Sequence, residues 1–103
     1  MLQLIRRPEL VSRLGLTDSA LDRAIRDGFV PPPVKLSPDP TRRAVGWPAH
    51  EADEVIAARI AGLDPEATRG LVADLLERRI NAAITTVQAH ESLRSPVVRE
   101  SAP

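Results

Sequence analysis

Residues 15–28 read GLTDSALDRAIRDG, a stretch of helix-forming sequence fenced by a glycine at each end. Thr17 is a good N-cap, and Asp18 follows it in the first turn, where the positive end of a helix favours an acid. Leu21, Ala24 and Ile25 fall at i, i+3 and i+4, which makes one buried stripe. Arg26 sits near the negative end, and Gly28 supplies the left-handed stop. The spacing predicts a short helix over residues 18–27.

Upstream, Pro8 and Glu9 suit the first turn of another short helix, over residues 8–14. Leu10, Val11 and Leu14 line its apolar face, and Gly15 stops it. Two short helices joined by Gly15-Leu16-Thr17 form a helix-turn-helix pattern.

Downstream, Pro31-Pro32-Pro33 excludes helix and keeps the chain extended. Residues 34–36 (VKL) and 44–47 (AVGW) read as two short strands. The turn-rich SPDPTRR between them makes a hairpin with a basic tip. A helix follows over residues 49–61, with Ala52, Val55, Ile56 and Ile60 as its inner stripe. Glu51, Asp53 and Glu54 fall near its start, where the helix dipole accounts for them. After the break at GLDP, Asp64 caps and Pro65 begins a last helix running to about Ser92. It carries a broad apolar stripe from Leu71 to Val87. The sequence from 94 onward (RSPVVRESAP) has no periodicity and reads as a disordered tail.

The expected fold class is therefore mainly α: a winged helix-turn-helix with one small β-hairpin, plus a long C-terminal helix. The domains are 1–62 for the winged unit, 63–93 for the added helix and 94–103 for the tail.

Composition narrows the classes. With 103 residues and 43% hydrophobic content the chain has a modest core, and with only Phe29 and Trp47 aromatic that core is aliphatic. Absence of cysteine removes disulfides and thiolate metal sites, and is in keeping with a reducing cytoplasm. No apolar run approaches the roughly 20 residues of a membrane span, and the N-terminus lacks the order of a signal peptide. Net charge is zero, but residues 1–50 hold eight Arg and Lys against five acids, and residues 51–103 hold six against nine. The basic half is the one that would meet an anion.

No catalytic constellation is present. His50 and His90 lie in separate segments with no cysteine near them, so no metal site is expected. There is no phosphate-binding glycine loop and no nucleophile-base-acid set, so no enzyme is expected and no cofactor is implied. Trp47, alone at a strand end, reads as core.

In a helix-turn-helix the second helix lies in the DNA major groove. Burial of Leu21, Ala24 and Ile25 turns Asp18, Ser19, Asp22, Arg23 and Arg26 outward. Arginine suits guanine or phosphate, serine suits either, and Asp22 either accepts from cytosine or holds Arg26, its i+4 neighbour. Lys35, Arg42 and Arg43 on the hairpin are placed to grip phosphates or enter a minor groove.

The ordered set Pro8-Glu9, Gly15-Leu16-Thr17, Arg23, Ile25, Asp27-Gly28-Phe29, Pro31 or Pro32, Val34-Lys35-Leu36, Gly46-Trp47, Glu51, Asp53 and Ile56 resembles the AlpA-like phage regulators and excisionase-type proteins. These are small relatives of the MerR winged-helix domain, and the resemblance covers about residues 4–62. It implies sequence-specific binding of double-stranded DNA, as a transcription regulator or as an excision accessory factor that bends DNA. Thr17 to Arg26 would be the recognition segment and Lys35 to Arg43 the wing. Three features depart from the family. Asp22 stands where an aromatic is common, Val55 stands where tryptophan is common, and the last helix is extra.

That helix has three possible uses: packing on its own domain, pairing with a second copy through Val72, Leu76, Ile80, Ala83 and Val87, or binding an integrase or transcription machinery. Self-association into a homodimer or higher homo-oligomer is the expectation, because one small winged unit has few phosphate contacts. The competing reading is a protein-interaction adaptor that keeps the scaffold without binding DNA, which zero net charge and Asp22 favour.

Overall fold

The computed structural model describes the backbone of residues 3–100 and the side chains of residues 3–89. The elements run β1 (Leu4–Ile5), α1 (Arg7–Leu14), α2 (Asp18–Arg26), β2 (Val34–Lys35), β3 (Val45–Pro48), α3 (Ala49–Ala61) and α4 (Pro65–Glu100). The expected mainly helical winged fold is present, with one addition. The hairpin β2–β3 gains a third strand, β1, giving an antiparallel sheet in the order β1-β3-β2. Ile5 pairs with Trp47, and Val34 pairs with Gly46. Two residues are too few to alternate, so β1 leaves no periodicity in the sequence. Gly46 sits between both neighbours: a Cβ there would lie 2.9 Å from the Ile5 carbonyl oxygen and 3.1 Å from Leu36. Only glycine lets the middle strand come that close.

The helix boundaries follow their chemistry. Gly15 closes α1 in the left-handed conformation at φ +67, which costs a residue without Cβ little. Its N–H and that of Leu16 return to the Ser12 and Val11 carbonyls, satisfying the helix end. Two residues later the Thr17 hydroxyl accepts from the Ala20 N–H at 3.1 Å and opens α2. Asp64 does the same for α4, its carboxylate accepting from Ala67 at 2.7 Å.

Every element except β2 supplies a buried aliphatic or aromatic residue to one core: Ile5, Leu10, Leu21, Trp47, Val55 and Leu75. Trp47 is core, as its isolation indicates. Its indole N–H donates to the Pro31 carbonyl at 2.8 Å, which pins the proline run against the sheet.

The added helix is part of this core. Leu75, Val72 and Thr68 are buried, and Leu71 packs alongside. Leu75 thus shares the core with Val55. Buried Glu51, 1% exposed, receives a bidentate contact from Arg79 of α4, with Nε to Oε2 at 2.7 Å. Beside it Arg78 bridges Glu54 and Asp74. Its pKa is raised, chiefly by the Glu54 hydrogen bonds.

Four expectations change. Ile60 is 83% exposed, so the inner stripe of α3 is Glu51, Ala52, Val55 and Ala58 instead. Glu51, Asp53 and Glu54 are not simply dipole partners, since each faces an arginine: Arg79, Arg13 and Arg78. Val72, expected at an interface with another copy, is only 5% exposed and belongs to the chain's own core. The last helix continues past Ser92 to Glu100, running through Pro96. The tail expected over 94–103 is therefore helical to residue 100, and 101–103 lie outside the described residues.

Candidate nucleic-acid interface

The fenced helix α2 turns one face to the core and one to solvent, as its pattern requires. Leu21 is fully buried and Ala24 and Ile25 are half-buried, while Thr17, Asp18, Ser19, Asp22, Arg23 and Arg26 are exposed. The Thr17 side-chain oxygen is occupied in capping. Among the described residues, Ser19 and Arg23 have no side-chain partner, so their donors face solvent.

Asp18 and Asp22, one turn apart, are both held by Arg7 from the start of α1. Arg7 Nε donates to the Asp18 carboxylate at 2.8 Å, and a terminal nitrogen donates to the Asp22 carboxylate at 2.8 Å and to the Asp18 carbonyl at 3.0 Å. These bonds, Asp18's first, raise the guanidinium's pKa above its ordinary value. Both carboxylates on the outward face are thereby held by one guanidinium, which offsets one of their two negative charges. Asp22 does not hold Arg26. Arg26 instead lies 3.8 Å from Asp27 and is otherwise open to solvent. Sequence spacing gave no sign of the Arg7 clamp, because its partners lie 11 and 15 residues away.

The hairpin loop is an ordered turn. The Asp39 carboxylate accepts from the Thr41 N–H at 2.9 Å and from its hydroxyl at 2.8 Å, while the Asp39 carbonyl accepts from the Arg42 N–H at 3.0 Å. The Thr41 bonds, backbone first, lower the Asp39 pKa below the usual carboxylate value. Since the folded value is depressed, the turn keeps these bonds above the ordinary carboxylate pKa and loses them only as pH falls through the lower one. Arg42 and Arg43, beside this turn, and Lys35 on β2 are exposed, and none has an acidic partner among the described residues. α2 and the hairpin therefore each present uncommitted cations on a fixed backbone.

Of the residues expected to meet a second copy, Val72 is core and Leu76 half-buried, while Ile80, Ala83 and Val87 are exposed. Ile84 joins them, about half exposed. From Ile80 to Ala89 every residue of α4 is exposed and none is charged. Among the described residues no group of three or more His, Cys, Asp or Glu side chains is arranged to hold a metal ion, and no helix is long and apolar enough to cross a membrane.

The sequence family described as the prophage CP4-57 regulatory protein (AlpA) matches residues 3–60, more than half of the chain. The match covers β1 through α3 and leaves α4 outside. Neither the curated proteins nor the solved structures yield a match.

Proposed function

This chain belongs to the AlpA family of prophage regulatory proteins, and from that premise we propose that it is a sequence-specific double-stranded DNA-binding protein. It acts in the cytoplasm as a transcription regulator or as an excision accessory factor. α2 is the reading element: Ser19, Arg23 and Arg26 meet base edges or phosphates, and Thr17 lies at its entry. Lys35, Arg42 and Arg43 hold the backbone from the wing. The observation that carries the reading is the clamp. Arg7 takes up the two carboxylates, Asp18 and Asp22, that would otherwise repel phosphate, and leaves the arginines of the same helix unpaired or nearly so. Zero net charge therefore does not describe the face that would meet DNA.

The protein works as a homodimer or higher homo-oligomer through the outer part of α4. Leu76, Ile80, Ala83 and Val87 follow the 4-3-4 spacing of a helix-helix seam, and two neutral helices meet without charge repulsion. Val72 has no part in it. Poor helix formers such as Thr85, Thr86 and Val87 gain most from such packing.

Purified protein incubated with genomic fragments at about 150 mM salt, where loose electrostatic attraction is already weakened, tests the reading. Enrichment of a few sites at promoters or at recombination sites supports it and separates the two roles. A folded protein that enriches nothing favours the adaptor, with an integrase or a transcription component sought on α4.

A further inference from the structure

The helix that reads DNA is braced at both ends, and the second brace comes from outside the family domain. At its C-terminal end α2 passes through Asp27 into Gly28, at φ +84, and then Phe29. Arg69, in the second turn of α4, lies across this exit. Its Nε donates to the Asp27 carbonyl at 3.0 Å, and its guanidinium sits 4.9 Å from the centroid of the Phe29 ring. Its stem passes so close to Gly28 that a Cβ there would be 3.3 Å from Arg69 Cγ. A cation at this end of a helix opposes the negative dipole, and a guanidinium within about 6 Å of an aromatic face is attracted to it.

The base of this brace is firm. Next to Arg69, Thr68 is wholly buried, its hydroxyl donating to the Asp64 carbonyl at 2.9 Å and accepting from Arg59 at 2.6 Å. One turn on, Val72 is core. Arg69 thus holds an immobile point on α4 against the last turn of α2, one residue beyond Arg26. Arg7 holds the other end.

We propose that Arg69 is a positioning residue for DNA reading: α4, although it lies beyond residues 3–60, fixes the C-terminal turn of the recognition helix and thereby the aim of Arg23 and Arg26. The proposal rests on the DNA-binding reading above, but the brace itself is measurable without DNA.

In the free protein the Asp27, Gly28 and Phe29 amides bond back to Arg23, Ile25 and Ala24 carbonyls. In Arg69→Ala their hydrogen exchange is expected to accelerate about tenfold, while the core amides of α1 and α3 stay as they were. Against DNA, the affinity for a selected site should fall about tenfold, while affinity for a shuffled duplex and the salt slope hold. Arg69→Lys keeps the charge without the planar fork, and should fall between the two if the alanine variant folds poorly. Unchanged exchange at 27–29 overturns the brace. Unchanged preference for the selected site overturns the positioning role. A loss shared by both duplexes, with the salt slope reduced by about one, makes Arg69 a phosphate contact instead. Wild-type protein that binds no duplex refutes the DNA reading, and the positioning role falls with it, whatever the exchange data show.

Discussion

Removing Arg79 should cost far more than removing a surface arginine. Glu51 is 1% exposed and Arg79 is its only charged partner among the described residues, while the Arg79 side chain keeps 18% exposure. Arg79→Ala leaves a carboxylate in the core with nothing opposite it. Breaking such a pair from one side costs about 3–5 kcal/mol, and partial access of water at Arg79 sets the expectation at the lower end, about 3 kcal/mol. A chain of this size has a total stability of about 5–15 kcal/mol, so the loss is a large share. With a urea slope of about 1–1.5 kcal/mol/M for a small domain, the midpoint followed by circular dichroism should fall by about 2–3 M. The reverse truncation, Glu51→Ala, leaves the arginine near water and should cost less, about 1–2 kcal/mol. Replacing both, as Glu51→Leu with Arg79→Leu, removes the buried charges together and should be nearly neutral. A midpoint shift below about 0.5 M for Arg79→Ala, or a double variant as damaged as the single one, would refute this reasoning.

Four further outcomes are expected. A chain ending at Gly62 loses Val72 and Leu75 from the core, worth about 1.5–3 kcal/mol each; it should show no dispersed amide spectrum, and a cooperative melt within a few degrees of the full chain would mean that α4 is dispensable. Arg7→Ala should change stability by less than about 1 kcal/mol, since its partners are exposed, yet weaken binding to every duplex by removing the positive charge that offsets Asp18 and Asp22 near phosphate; unaltered DNA affinity would show that the clamp has no part in binding. Arg42→Ala with Arg43→Ala should lower affinity for all sequences and flatten the salt slope by about two, and no effect would exclude the wing. Ile80→Glu with Val87→Glu should reduce the mass seen in light scattering to that of one chain with the core intact, and an unchanged mass would place any self-association elsewhere.

Much of the fold was legible because its boundaries are written locally. Gly15, Thr17, Gly28 and Asp64 act within one turn of themselves, and the end of α1, both ends of α2 and the start of α4 fall within a residue or so of where those signals put them. What escaped depends on partners distant in sequence. β1 exists only by pairing with β3. Glu51 looked like a dipole residue because Arg79 is 28 positions away. The stripe on α4 is continuous, so periodicity alone does not reveal that Val72 and Leu75 face the core while Ile80 and Val87 face solvent. The change comes where Arg78 and Arg79 tie α4 to α3. At the interface, the outward face of α2 was legible from three apolar positions, Leu21, Ala24 and Ile25, on the opposite side. Its electrostatics were not, because the Arg7 clamp sits on the preceding helix and makes Asp22 compatible with a phosphate-facing surface.

The proposed function rests on sequence reading by α2. Its most direct test is the affinity of the full chain for a duplex recovered from genomic fragments against a shuffled duplex of equal length and composition, at about 150 mM salt, repeated with Arg23→Ala. A preference of about 1,000-fold or more for the recovered duplex is expected, reduced at least tenfold by the substitution with binding to the shuffled duplex little changed. Equal affinity for the two duplexes, or a preference that survives loss of Arg23 intact, would contradict sequence reading by α2.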